Sequence, residues 1–240
     1  MLIWLYPVDI KTRWVSYDEL KFVLPDLSES GRQSLISYLV SKGEILTEKI
    51  GGELKVSLTA FSKKSLEEEF PAFSLDTDNW DSNWSLVCFL KSPKTDKNFR
   101  YLRNKLLFYK CIALSRGVFL FPGELPVSLT EMLNKLYKTS VTVLKAQKFV
   151  FGDELMIIGQ KIGIFDNVEL YSSISKELRQ LLMKKTTNKG LTGQQKKHFF
   201  SLFSRLMDVF DFDYGLVKYY FPQEPHGREI LFKMQTSFEL

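Results

Sequence analysis

The chain has 240 residues, 45% of them hydrophobic and 25% charged, with a net charge of +5, two Cys and two His. That size and apolar content suffice for one large domain or two to three small ones, and the charged fraction is ordinary for a soluble protein. No stretch approaches the roughly 20 apolar residues that span a bilayer. The opening run 2–6 is too short for a signal-peptide core and follows no basic residue, so a cytoplasmic protein is expected, with Cys88 and Cys111 as buried thiols.

Ser16-Tyr17-Asp18-Glu19 is a capping box: the serine hydroxyl can accept the backbone N–H three residues on, and the glutamate can reach back. Tyr17, Leu20, Val23 and Leu24 recur at helical spacing, which predicts a helix over 17–24 stopped by Pro25. Asp26 is placed to cap a second helix over 27–42. That helix has an apolar face of Leu35, Ile36, Leu39 and Val40 and ends at Gly43. Two short helices joined by a tight turn are the helix-turn-helix pattern. Ile45 and Leu46 open a strand, Gly51-Gly52 can make a hairpin turn, and Leu54, Val56 and Leu58 alternate in the return strand. The order predicts a winged helix-turn-helix over 1–70. A small helical domain with an unrelated hairpin is the plainer alternative.

A short capped helix is expected over 62–69 and a polar linker over 71–79. Residues 84–90 form a nearly continuous apolar strand and 97–114 a helix with Tyr101, Leu102, Leu106 and Tyr109 among its apolar positions. Strands over 117–121, 140–148 and 155–158 and a helix over 129–137 complete a ferredoxin-like α+β middle domain, 80–160. From Val168 the pattern is helical: 161–240 is read as a helical domain interrupted by the polar stretch 184–197, which holds five Lys and no acid. The fold class is therefore α+β in three parts.

Charge is uneven. Residues 1–70 carry nine Lys/Arg against eleven Asp/Glu, a net of −2, while 71–160 carry twelve against eight, a net of +4, and 161–240 twelve against nine, a net of +3. Lys97, Arg100, Arg103, Lys105, Lys110 and Arg116 follow one another without an intervening acid. A solvated helix face is the bland reading of that run, and contact with phosphate is the sharper one.

The whole order resembles the PaaX family, repressors of phenylacetic acid degradation. The resemblance rests on Trp80-Asp81, Trp84-Ser85-Leu86-Val87, Leu102-Arg103 and Gly117-Val118-Phe119 with Pro122, then Ile164-Phe165-Asp166, Asp213-Tyr214-Gly215-Leu216 and Phe221-Pro222. Phe119 stands where the family has tryptophan. The resemblance implies a winged helix-turn-helix, a ferredoxin-like middle domain and a helical C-terminal domain. It also implies a homodimer that binds double-stranded operator DNA, and an acyl-coenzyme A type effector. Family arginines on the recognition helix are replaced where Gln33 and Tyr38 align, and a basic wing residue is replaced near Glu53. The 15 leading residues leave little room for the helix that normally precedes the pair, so part of the core needs another cover.

Projected at 100° per residue, Ser30, Ser34, Ser37, Tyr38 and Ser41 lie opposite the apolar face, with Gln33 at its edge. These residues and Lys55 are the candidate DNA contacts. Arg100, Arg103, Lys110, Lys184 and Lys185 are the candidate phosphate or effector contacts. His198 and His226 stand apart from each other and from the cysteines, and no nucleotide or hydrolase motif is present. No cofactor, metal or enzymatic activity is expected. A ferredoxin-like domain of this kind also resembles a CRISPR adaptation nuclease, but 84–90 lacks the acid that would hold a metal. The alternative to a repressor is a relative that kept the fold as a scaffold or small-molecule binder and lost the operator.

Overall fold

A computed structural model describes residues 1–8, 12–74, 80, 82–90, 97–147, 149–183 and 191–238. The first elements are α1 (Leu2–Leu5), β1 (Val15–Ser16), α2 (Tyr17–Val23), α3 (Glu29–Ser41), β2 (Ile45–Ile50), β3 (Glu53–Leu58) and α4 (Ala60–Glu69). There follow α5 (Pro71–Ser74), β4 (Trp84–Phe89), α6 (Lys97–Phe108), β5 (Ile112–Ser115), β6 (Val118–Pro122), α7 (Val127–Leu136) and β7 (Val141–Ala146). The last are α8 (Glu154–Ile162), α9 (Ile164–Met183), α10 (Gly193–Phe210), α11 (Val217–Tyr220) and α12 (Gly227–Phe238). The fold is α+β, with two antiparallel sheets. No helix among the described residues is long and apolar enough to cross a membrane.

Three consecutive parts were expected, 1–70, 80–160 and 161–240. The compact units divide the chain differently: residues 1–67 group with 170–211 and 225–240, and residues 68–169 with 212–224.

In the first unit, β1, β3 and β2 pair in that order. The β2–β3 hairpin turns at Gly51 and Gly52, whose φ values of 63° and 85° are the positive ones a two-residue hairpin loop requires. Ser16 caps α2 by accepting from Glu19 N at 3.2 Å. Ser28, not Asp26, caps α3 by accepting from Gly31 N at 3.1 Å, so α3 starts two residues later than the spacing predicts. Val40 is exposed, and the buried face of α3 is Ile36 and Leu39, with Leu35 half-buried.

The short leader forms the single turn α1, which buries Trp4, Leu5 and Tyr6. Its cover comes from far along the chain. Phe199 and Phe203 of α10 meet the Trp4 ring edge-on at centroid distances of 6.1 and 5.1 Å, and Phe22 of α2 lies 5.2 Å from Phe199. The Gln235 amide of α12 donates to Trp4 O and Tyr6 O at 3.0 and 2.9 Å.

In the second unit the strand order is β5-β6-β4-β7. One face of that sheet packs Val87 and Phe119 against Leu102 and Leu106 of α6 and Leu129 and Leu133 of α7. The helix expected over 97–114 ends at Phe108. Lys110 takes a left-handed φ of 58°, and 112–115 is a strand, β5. The strand expected over 155–158 is helix α8, capped by Asp153, which accepts from Met156 N, and closed by Gly163 in the left-handed region. The linker expected over 71–79 begins as the turn α5, with Phe73 buried; residues 75–79 lie outside the described ones. Likewise 193–197 of the polar stretch belong to α10, under a capping box made by Thr192 and Gln195.

Candidate nucleic-acid interface

The first residues to place are those of α3. Ser30, Gln33, Ser34, Ser37, Tyr38 and Ser41 are all exposed on that one helix. Two of the serine hydroxyls have local partners: Ser30 shares a hydrogen bond with Ser28 at 3.1 Å, and Ser41 donates to Tyr38 O at 2.7 Å. Gln33, Ser34, Ser37 and Tyr38 remain as outward polar groups. Lys42, one residue past the helix, holds its ammonium 5.6 Å from the Tyr38 ring centroid, within cation–π range. Lys42 was not among the candidates; its four-residue spacing from Tyr38 was the available signal.

Arg32 is the one arginine of α3, and it is turned inward. Its guanidinium donates to Leu24 O and Leu27 O and lies 3.6 Å from Glu29, so it ties the α2–α3 turn together. Tyr17 adds a hydroxyl donated to Glu29 O at 3.4 Å. At the base of α2, Asp18 accepts from Lys21 at 3.0 Å and thereby raises the lysine pKa above its ordinary value. The α3 face therefore offers hydroxyl, amide and phenol groups but little charge.

The hairpin beside it is balanced. Glu48 and Lys49 of β2 are exposed, as is Glu53 across the turn. Lys55 is half-buried on the central strand, in register with Glu48 on one side and Ser16 on the other. Its cross-strand glutamate offsets its charge.

The second set of candidates belongs to the other compact unit. Lys97, Arg100 and Arg103 of α6 are exposed, and Lys110 is half-buried at the left-handed residue after the helix. Tyr101, expected among the apolar positions of this helix, is exposed, and so is Phe108. Lys105 lies 5.9 Å from the Tyr101 ring and 5.5 Å from the Phe108 ring. The face is thus basic and aromatic together, a combination suited to phosphate with base or ring stacking. Arg116 lies over Phe99 at 5.5 Å. Lys184 and Lys185 lie outside the described residues.

Tyr219, Tyr220 and Phe221 are half-buried and packed. Tyr219 meets Trp80 at 4.6 Å and shares a hydrogen bond with Ser82, Tyr220 donates to Glu154 at 2.7 Å, and Phe221 meets Phe165. Among the described residues, no group of three or more His, Cys, Asp or Glu could hold a metal ion. Cys88 and Cys111 are free thiols, and burial pushes the Cys111 thiol pKa up.

No protein-family model matches the sequence. No curated protein matches it either. Among solved structures, the chain is similar to the uncharacterized protein Rv0674 from Mycobacterium tuberculosis. Identity is 17% and the TM-score 0.50, over 100% of this chain and 97% of that one. The likeness is one of fold.

Proposed function

We propose that the chain is a PaaX-like transcriptional regulator, a homodimer that binds double-stranded operator DNA and is released by a small effector of the acyl-coenzyme A type. Its N-terminal part is a winged helix-turn-helix, with α3 entering the major groove and the β2–β3 hairpin touching phosphate. No covalent chemistry is part of this action. The observation that carries the reading is the outward face of α3, where Gln33, Ser34, Ser37 and Tyr38 are exposed together beside a hairpin with a two-residue turn. The order β1–α2–α3–β2–β3 with sheet order β1-β3-β2 supports the winged assignment. A ferredoxin-like middle part is supported by the β4–α6–β5–β6–α7–β7 succession with sheet order β5-β6-β4-β7.

The test is selection of bound fragments from genomic DNA at two salt concentrations, followed by titration of the enriched site. Ser37→Glu and Tyr38→Glu should each weaken binding by repulsion from phosphate while leaving the unfolding midpoint in place, since both side chains are exposed. Replacing Arg100 and Arg103 with Gln should reduce the salt slope by about one unit for each phosphate contact removed. The inward commitment of Arg32 favours a second reading, a relative that kept the fold as a scaffold or small-molecule binder without the operator. Absence of any enriched fragment, or unchanged affinity in both α3 variants, would decide for that second reading.

A further inference from the structure

Within the first unit, the later turns of α9 (residues 175–183) and α12 line a cleft of about 580 Å³, within the size range of small-molecule sites. Three hydroxyls line it. Thr236 donates to Phe232 O and Lys233 O, and Ser237 donates to Met234 O, so both are committed to their own helix. Ser175 is 9% exposed and also lines the cleft.

The cations of the cleft are Arg179 and Lys233. Lys233 is paired with Glu229. Arg179 is exposed and has no ion-pair partner among the described residues. Ser175 and Arg179 are four residues apart on α9, where side chains are neighbours, so one planar anion can meet both. The remaining α9 lining is Leu178, Leu182 and Met183, which continues the same helical face as an apolar wall.

We propose that this cleft is a binding site for a small amphipathic carboxylate. The carboxylate takes the fork of the Arg179 guanidinium and the hydroxyl proton of Ser175, and the apolar body lies along Leu178, Leu182 and Met183. Arginine suits the role because its planar fork matches a carboxylate in two parallel hydrogen bonds. An apolar alcohol leaves the guanidinium unused, and a short acid leaves the leucine wall wet. The ligand must therefore carry both features. The site stands independently of DNA binding.

The experiment titrates the full chain with octanoate, with octan-1-ol and with acetate by calorimetry, and follows the Met183 methyl resonance in parallel. Octanoate should bind saturably and shift Met183, and the other two probes should bind at least about tenfold more weakly. Arg179→Gln, on an exposed position, should weaken octanoate by about tenfold and leave octan-1-ol unchanged, with an unaltered unfolding midpoint. Ser175→Ala should weaken octanoate by roughly three- to tenfold, the effect of one hydrogen bond. Equal affinity for octanoate and octan-1-ol would overturn the proposal, as would an Arg179→Gln variant that binds octanoate like the parent. Non-saturating uptake that leaves Met183 unmoved would overturn it too.

Discussion

Glu19 holds the leading turn to the rest of the first unit. It is buried, it accepts from the Trp4 indole at 2.8 Å, and it is paired with an equally buried Arg13 whose guanidinium lies 5.6 Å from the Trp4 ring centroid. Removing one member of a buried pair strands the other charge, which costs about 3–5 kcal/mol. Glu19→Ala should lose that much in urea denaturation, whereas Glu19→Gln keeps an acceptor for the indole and should lose less. An alanine variant within about 0.5 kcal/mol of the parent, the usual range for an inconsequential surface change, would show that the pair is not structural. Glu177 is a different case. The Arg205 guanidinium, donating at 2.7 Å, holds its carboxyl below the usual carboxylate range, and His198 and Ser173 add further hydrogen bonds. A depressed folded-state value means that the unfolded chain takes up this proton first as pH falls. The stabilisation is complete above the ordinary glutamate value and disappears as pH falls through the lower one. Stability of Glu177→Gln should therefore decline less than the parent's between pH 6 and pH 3; parallel declines would remove this carboxylate from the acid response.

Gly215, in the segment between α10 and α11, shows how far a turn depends on one backbone position. Its φ is +74°, its N–H donates to Asp213 at 2.7 Å, and a Cβ there would sit 2.8 Å from Pro71 O. Gly215→Ala combines a strained φ with a backbone clash and should destabilise by more than about 1 kcal/mol, read as a shift of the denaturation midpoint. Elements bounded by such local chemistry were legible from the sequence. Ser16 signals the start of α2, and Gly51-Gly52 fixes the β2–β3 hairpin to the residue. Reading failed at an ambiguous apolar run and at an unmarked helix end. Leu155 to Ile158 is an apolar run that fits a strand or a helix equally, and only its caps, Asp153 and Gly163, distinguish them. The end of α6 carries no breaker, because a lysine takes the left-handed turn that glycine normally marks. The exposed character of Tyr101 was missed for a related reason: helical spacing near an apolar stripe cannot tell core from rim. The candidate α3 face was legible because burial of Ile36 and Leu39 sets the opposite side by periodicity alone. Nothing in the spacing could announce that Arg32 faces the turn, since the carbonyls it binds become acceptors only once α2 ends.

At the scale of the whole molecule, four aromatic residues from the stretches behind the family resemblance, Trp80, Trp84, Phe165 and Phe221, pack in the second unit, Trp80 against Trp84 and Tyr219 and Phe165 against Phe221, in ring contacts of 4.6 to 5.9 Å. They hold segments distant in sequence in place, so they report architecture more directly than activity. The first unit is assembled across still longer separations, and this bears on the order in which the protein can form. Trp4 and Gln235 are 231 residues apart, yet their hydrogen bond closes the leading turn. During synthesis the early residues emerge with their aromatic face uncovered and wait for nearly the whole polypeptide before α10 and α12 exist. Contacts of such high contact order form late, because a large chain-closure entropy precedes any gain from them. A nascent chain halted after residue 70 should therefore remain open to protease, and one released to residue 240 should become resistant in a single late step, detectable by pulse proteolysis of stalled ribosome complexes. Early protection of the short chain would mean that the leading segment reaches a stable fold without its distant cover.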